Sequence, residues 1–539
     1  MTTLPFRSFW RRSWLLGAAI GGLLHGADAL GEQMEDPAVL RWPGATVFTN
    51  GSVWTFNLQI DSKEADSLRR RPREFVRATV SVENRAYQNV AVHLKGAVGS
   101  FRPLDDKPAL TLDFSRFNRE QTFHGLRRIH LNNSVEDPSY ANEWLGSELF
   151  RAAGVPAPRV THALVTVNGR ARGLYVLKEG FTEDFLACHF KHPGADLFEP
   201  AVGHDIDQPM SRISLPGPAG DQADLQSLAR GALDPDLSHR WQTLEHSLDL
   251  ERFISFMAME VLLCHRDGYC VARNNFRVYR DLDRGKWIFL PHGMDQLFGI
   301  SDLPLQPNMA GLLSRALMET SEGRQRYSER LVNLYTNLLQ PQVLNAQIDL
   351  LVQQLQWVLA SREFAQVQLE ASQLKDRILA RQSEVRRLLS QPEVAKLNLD
   401  HGPAPLSHWA PQDRPPSGKM DITTLPEGIQ ALHISTTSDC SASWRTRALV
   451  PSGRYQFEGR VKTMGVKPLA YLTRQGAGLR IGGAVPMEHG LVGNSPWQSL
   501  AFDFEIPTET METEFVLELR ASDGEAWFDC DSLRVVPRH

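Results

Sequence analysis

The apolar pattern of this chain changes period twice. Apolar side chains alternate from about residue 76 to 180, recur at helical spacing from 248 to about 394, and alternate again from 455 to 536. Alternation belongs to strands and the longer period to amphipathic helices. A sheet, a helical layer and a second sheet must therefore follow one another. One core cannot serve all three, because single cores stop growing at about 250–300 residues and this chain has 539. Two or three folded units are expected. Hydrophobic residues at 42% and charged residues at 22% exclude a mostly disordered, collagen-like or coiled-coil chain. The formal net charge of -5 argues against a nucleic-acid partner, whose phosphates call for a basic excess.

Within the first segment Val90, Val92 and Leu94 share one strand face, as do Leu110, Leu112 and Phe114. Ala163–Val167 and Gly173–Leu177 flank Asn168-Gly169, the turn dipeptide of a tight hairpin. One helix is predicted over Ser139–Ala153, capped by Asp137 or Ser139, with Pro138 near its first turn and Gly154 at its end. The first lobe is thus a small sheet crossed by one helix. A stretch rich in Gly, Pro and Asp follows at about 203–222, and a solvated loop is expected around Asp205 and Asp207. The helical layer starts with Leu248–Cys264 and resumes from Met309, interrupted by strands at Phe276–Tyr279 and Trp287–Leu290. The charged run Arg377–Arg387 reads as a solvated helix face.

His401–Gly418 contains five prolines and two glycines and reads as a linker. Beyond it, 419–539 reads as an all-β jelly-roll-type sandwich, with strands at Tyr455–Val461, Gly478–Ile481, Trp497–Ile506, Thr513–Arg520 and Ala526–Val536. Trp497 and Trp527 either pack in it or stack on sugar rings. The start of the chain has the form of a signal peptide over 1–29: Arg7, Arg11 and Arg12, an apolar run from Trp14 to Leu24, then Ala27-Asp28-Ala29. An uncleaved anchor is the alternative, and Arg11-Arg12 resembles a twin-arginine signal. An exported, soluble protein with no membrane span after cleavage is expected. The five cysteines are too few for a disulfide scaffold, although Cys440 and Cys530 could pair in an oxidising compartment.

The densest set of reactive side chains is His265-Arg266-Asp267-Gly268-Tyr269, then Asn274-Asn275 ahead of a strand, then Met294-Asp295-Gln296 after the next strand. Phosphoryl transfer from a nucleotide needs those roles in that order: a carboxylate for the attacking hydroxyl, then an amide and a second carboxylate for magnesium. His265–Tyr279 and Gly285–Gly299 resemble the signature of the spore-coat CotH family of atypical protein kinases. Further matching blocks are Leu94-Lys95-Gly96 with Ser100, Lys107-Pro108, Gly154–Arg159, and Val167-Asn168-Gly169 through Gly173-Leu174-Tyr175 to Glu179. The terminal sandwich is similar to carbohydrate-binding modules.

The resemblance implies an α+β fold with a two-lobed kinase-like domain over 30–400, its β-rich lobe at about 30–180 and its helical lobe at about 181–400. It implies ATP and Mg2+ as cofactors, and Ser or Thr hydroxyls of a surface or coat protein as substrate. By role, Asp267 is the catalytic aspartate, Asp295 a metal ligand, and Asn275 the second, with Asn274 as fallback. Lys107 contacts the phosphates, Lys95 is a second candidate, and Gly96 to Ser100 form the loop over the nucleotide. Glu179 falls at the hinge. The lysine's partner is Glu148, inside the apolar stripe of its helix where a lone carboxylate is costly, or else Glu143. Two other functions share these groups: transfer of AMP or ATP-driven ligation by a kinase fold, and a non-catalytic adhesion or assembly protein. Polysaccharide is a second partner through the sandwich.

Overall fold

The structure, a computed structural model, describes residues 42–48, 53–213, 222–299, 301–390, 394–400, 402–413, 417–469, 475–482, 490–506 and 510–538. The expected signal peptide lies outside them.

Seven strands close into a barrel: β1 Val53–Gln59, β2 Val76–Val82, β3 Arg85–Lys95, β4 Ala109–Asp113, β5 Arg128–Asn132, β6 Val160–Val167 and β7 Arg170–Glu179. Their order is β1-β2-β3-β4-β5-β7-β6, and β1 returns to pair with β6 in parallel, Val53 opposite His162. The sequence reading expected a small sheet starting near residue 76. The difference is β1, in which Trp54, Phe56 and Leu58 point inward and which covers both sheet edges at once. Phe56, Val80, Val92, Leu112, Phe114, Phe123 and Leu131 fill the interior. The predicted hairpin is present, with Val167 opposite Arg170 and positive φ at Asn168 and Gly169, as a primed two-residue turn requires.

Helix α1, Ser62–Arg70, lies beside β2, and α2, Asn142–Ala152, follows β5. The N-cap of α2 is Ala141 rather than Asp137 or Ser139; Asp137, upstream, accepts from the Asn142 N–H at 2.9 Å and from the Ser139 N–H and hydroxyl. Seven of the eleven α2 residues are buried, Asn142, Glu143, Leu145, Gly146, Ser147, Leu149 and Phe150. The helix is therefore covered on more than one side, and a Cβ on Gly146 would meet Leu297 at 2.5 Å.

After the barrel come β8 Leu197–Glu199, β9 Ser211–Arg212, β10 Phe276–Asp281 and β11 Lys286–Pro291, in the order β11-β10-β8-β9. The helices are α3 Ala223–Ala232, α4 Leu237–Ser247, α5 Leu250–Leu262, α6 Leu312–Met318, α7 Ser321–Leu338, α8 Pro341–Gln356 and α9 Ser361–Leu389. Helix α5 is buried on all sides from Phe253 to Leu262, which makes it the axis of this region. Two solvated readings hold only in part: Asp207 and most of Arg377–Arg387 reach solvent, but one charge in each stretch does not. Asp205 is buried and accepts from the Ile206 and Leu312 N–H groups and the Tyr269 hydroxyl. Arg381, amid the charged run of α9, is fully buried and donates to the carbonyls of Val261, Leu262, Ser301 and Leu303. Composition marked both stretches as polar, but each buried charge has a full set of backbone partners.

The terminal region packs two sheets around its own core of Leu432, Trp444, Phe457, Val461, Phe515, Leu517 and Phe528. Its strands are β12 Ala404–Pro405, β13 Ala410–Gln412, β14 Lys419–Thr424, β15 Gln430–Thr436, β16 Cys440–Val450, β17 Gly453–Lys467, β18 Gly476–Ile481, β19 Gly493–Ile506, β20 Met511–Ala521, β21 Asp523–Asp529 and β22 Arg534–Arg538. The expected linker is thus partly sandwich: β12 pairs with β22 and β13 with β16. Both are edge strands, where proline is tolerated. Cys440 and Cys530 are free thiols. Trp527 is 8% exposed, with His433 stacked on it at 4.9 Å; it packs rather than presenting an open face. Among the described residues no helix is long and apolar enough to cross a membrane.

Candidate active site

Where the barrel meets α2 and the β10–β11 hairpin, polar side chains form one connected chain. It begins with Lys178, at the end of β7. The preceding residues Leu174-Tyr175-Val176-Leu177 are all buried, and an ammonium that follows them inside needs a counter-charge. Glu143 of α2 supplies it: Lys178 Nζ donates to Glu143 Oε1, and both side chains are almost wholly inaccessible. The other oxygen of Glu143 accepts from Asn132 Nδ2, and Asn132 Oδ1 accepts from Lys95 Nζ at 2.6 Å. On the far side, His292 Nδ1 lies 3.3 Å from Lys178 Nζ. Strands β3, β5 and β7, helix α2 and the segment after β11 are joined in this way.

Electrostatics divide the two lysines. Burial opposes the charge of Glu143, but Lys178 and Lys95 outweigh it and hold the carboxyl below its ordinary value. Burial pushes Lys95 down to about 8 against the pull of Glu143. Lys178 is sealed inside its ion pair, whereas Lys95 is half-buried and bonds a neutral amide. Of the two lysines, Lys95 is the one not sealed in an ion pair.

The second half of the site is the pair of segments 264–275 and 292–299. Asp267 is exposed on the loop after α5. Asn275 Nδ2 donates to the Asp267 carboxylate at 2.6 Å and to its carbonyl at 3.0 Å, and Asn274 Nδ2 donates to the other carboxylate oxygen at 3.0 Å. Asn275 itself has φ +51°, a left-handed conformation that asparagine adopts more readily than most residues. Its carbonyl accepts from the His292 N–H at 2.9 Å, and a Cβ on Gly293 would lie 2.2 Å from Asn275 Oδ1. The amide thus touches Asp267 on one side and the approach to Asp295 on the other. Asp295 is half-buried, and its carbonyl accepts from Asn142 Nδ2 at 2.9 Å. Burial, with Glu143 and Glu136 nearby, pushes its carboxyl up to about 6.

These residues suit magnesium. Among the described residues no group of three or more His, Cys, Asp or Glu side chains forms a ready cage. Magnesium is usually held by one or two carboxylates, with waters and substrate phosphates completing the shell. Asp295, disfavoured as an anion by burial and then by Glu143 and Glu136, is a group that a divalent cation would relieve.

Several sequence assignments change. Lys107 Nζ donates to the Tyr140 hydroxyl at 2.6 Å and faces the Tyr140 and Tyr175 rings; its charged neighbours are Glu363 and Asp106, outside the Lys95–Glu143 chain. Glu148 pairs with Arg151 one turn along the helix, and Glu143 pairs with Lys178 rather than Lys107. The apolar stripe did not decide between them because α2 has more than one buried face. The Glu179 carboxylate is bonded to Arg159 at 2.5 and 3.0 Å. Gly96, with φ +105°, opens a tight turn in which Ser100 Oγ accepts from the Ala97 N–H at 3.0 Å. That loop lies against Glu136, whose Oε1 accepts from Gln296 Nε2 at 3.0 Å. Lys178, Asn132, Asn142 and Glu136 were not foreseen. Only Lys178 carried a signal, a lysine ending an apolar strand.

The profile of the CotH kinase protein family matches residues 92–386. The chain belongs to that family. Every residue of the network described above lies inside the matched span. Among relatives of this CotH-family chain, Invasin CotH2 of Rhizopus delemar is 25% identical over 50% of this chain and 51% of its own. Invasin CotH3 of the same fungus is 27% identical over 40% of this chain and 38% of its own. The inner spore coat protein H of Bacillus subtilis is 26% identical over 34% of this chain and 53% of its own. The chain thus spans about half, or less, of the length of the curated relatives it matches. Among solved structures, the Helicobacter pylori proinflammatory kinase CtkA aligns at 7% identity over 55% of this chain and 97% of its own, TM-score 0.26. The carbohydrate-binding module TmCBM61, solved with β-1,4-galactotriose, aligns at 14% identity over 28% of this chain and 100% of its own, TM-score 0.19.

Proposed function

We propose that this chain is an exported ATP- and magnesium-dependent protein kinase that phosphorylates Ser or Thr hydroxyls of surface or coat proteins. The observation that carries the reading is the Asn275 amide, bonded to Asp267 and packed against the glycine two residues before Asp295. That arrangement gathers the three groups phosphoryl transfer needs at one junction. Asp267 orients the attacking hydroxyl and accepts its proton. Asn275 and Asp295 hold the metal, and Lys95 contacts the phosphates beneath the loop from Gly96 to Ser100. Lys178 and Glu143 form the ion pair that ties β7 to α2 within the β-rich lobe. Magnesium, when bound, neutralises charge on the transferring phosphates. The kinase-like domain is proposed over 30–400 and the sandwich over 419–539, with the edge strands β12 and β13 of 401–418 joined to it. Surface or coat placement is supported by the relatives named as invasins and as an inner spore coat protein.

Polysaccharide is proposed as a second partner of the sandwich through Trp497, which is half-buried, with Nε1 3.4 Å from Glu427 and Arg460 5.5 Å from its ring. The kinase reading is tested with magnesium and ATP labelled at the γ- or the α-phosphate, comparing the wild type with Asp267→Ala and Asp295→Ala. γ-Label transfer lost in both variants is the expected result. Transfer from the α-position alone assigns AMP transfer. No transfer and no magnesium-dependent nucleotide binding leaves an adhesion or assembly protein.

A further inference from the structure

The loop that carries Asp267 is fastened from beneath by a carboxylate with no part in the steps above. Glu260 lies in the last turn of α5 and is 1% exposed. Its Oε1 accepts from the Tyr269 N–H at 2.9 Å and its Oε2 from the Cys270 N–H at 2.8 Å. These are the first two amides of the short helical turn Tyr269–Ala272, whose cap residue, Gly268, has no side chain to satisfy them. The same glutamate holds the start of the loop, because its own carbonyl accepts from the His265 N–H at 2.8 Å. Asp267 is therefore bracketed by two attachments to one residue.

The bracket is tight. A Cβ on Gly268 would lie 2.5 Å from Glu260 Oε1 and 2.9 Å from the His265 ring. The loop is also pinned from the side: the Tyr269 hydroxyl donates to Asp205 at 3.1 Å and accepts from the Leu313 N–H at 2.9 Å. A buried carboxylate loses solvation without a counter-ion, and here backbone amides offset that loss. Hydrophobic packing of α5 alone would place no demand for an acid at this position.

We infer that Glu260 is a positioning residue for phosphoryl transfer, which holds Asp267 in register through the backbone amides of Tyr269 and Cys270. The inference rests on the reading of Asp267 as the catalytic aspartate. A misplacement near 1 Å in such a group costs on the order of 100-fold in rate.

The test measures γ-phosphate transfer from ATP by the full chain, with amide hydrogen exchange of the 264–272 peptide in parallel. Glu260→Gln keeps the shape but turns one acceptor into a donor that faces an N–H. It is expected to lower kcat by about 10- to 100-fold, leave the KM for ATP within about twofold because the nucleotide-binding groups are untouched, and speed exchange in 264–272 alone. Gly268→Ala displaces the same carboxylate from the other side; the same kcat loss is expected, and it decides the matter if Glu260→Gln does not fold. Wild-type kcat in both variants, with Asp267→Asn inactive, overturns the positioning role alone. Transfer absent from the wild type, or undiminished in Asp267→Asn, overturns the catalytic reading and the role of Glu260 with it.

Discussion

The matched kinase-family region and the terminal sandwich place their charges differently. In the first, beside surface pairs such as Arg266 with Asp302, several charges are sealed inside: Lys178 with Glu143, Glu260 on two amides, Arg381 on four carbonyls. In the sandwich the ion pairs are mostly at the surface, as between Arg534 and Glu458 or Arg447 and Glu512; Arg480 with Glu518 is the buried exception. A buried ion pair is weak evidence for stability, because an apolar pair of similar volume often does as well. Charges concentrated at one junction therefore point to orientation of reactive groups, while the sandwich is held by its apolar core.

The sharpest way to break that contrast is Glu143→Leu. Left without a partner, the buried Lys178 should destabilise the fold by about 3–5 kcal/mol, read from chemical denaturation. The double variant Lys178→Met, Glu143→Leu should recover most of that loss yet stay inactive in phosphate transfer. Full activity in the double variant would refute the view that the pair serves orientation.

Asp295→Ala comes next. Phosphate transfer should fall by at least about 100- to 1,000-fold, equivalent to about 3–4 kcal/mol at the transition state. Its thermal midpoint without magnesium should not fall, because a carboxyl crowded by Glu143 and Glu136 has been removed. A clear drop in the midpoint would mean that Asp295 is a structural anchor instead.

A pH series sharpens the same point. The Asp295 carboxyl, raised to about 6 by burial and its acidic neighbours, is protonated and neutral below that value. Magnesium-dependent nucleotide binding should weaken as pH falls through 6, up to about tenfold per pH unit. Asp295→Asn should remove that step from the binding profile. The smallest effect belongs to the sandwich. Arg534→Ala, which breaks a half-exposed pair with Glu458, should change stability by less than about 1 kcal/mol and leave phosphate transfer unchanged.

Much of the fold was legible in local pattern. The Asn168-Gly169 turn, the α5 run and the β10–β11 pair are each decided by neighbours in sequence. The closure of the barrel was not, because β1 gains its meaning from β6, more than a hundred residues away. Within the site, Asp267, Asn275 and Asp295 were readable because they share one hairpin and its flanks. The choice between Lys95 and Lys107 and between Glu143 and Glu148, and the part played by Lys178, depended on which faces of α2 and the barrel are covered. Only packing decides that. Prolines at 403, 405 and 411 read as a linker because edge strands accept them as readily as loops do.

Arg381 has a consequence for the order in which the molecule can be built. It reaches back from α9 to the carbonyls that end α5 and to those of Ser301 and Leu303, beyond Asp295. A ribosome releases α5, both aspartate loops and the whole barrel well before it reaches residue 381. Until α9 emerges and docks, those carbonyls lack this partner, and the segments bearing Asp267 and Asp295 rest on their own mutual bonds alone. The last long helix thus adds the final tie beneath that junction.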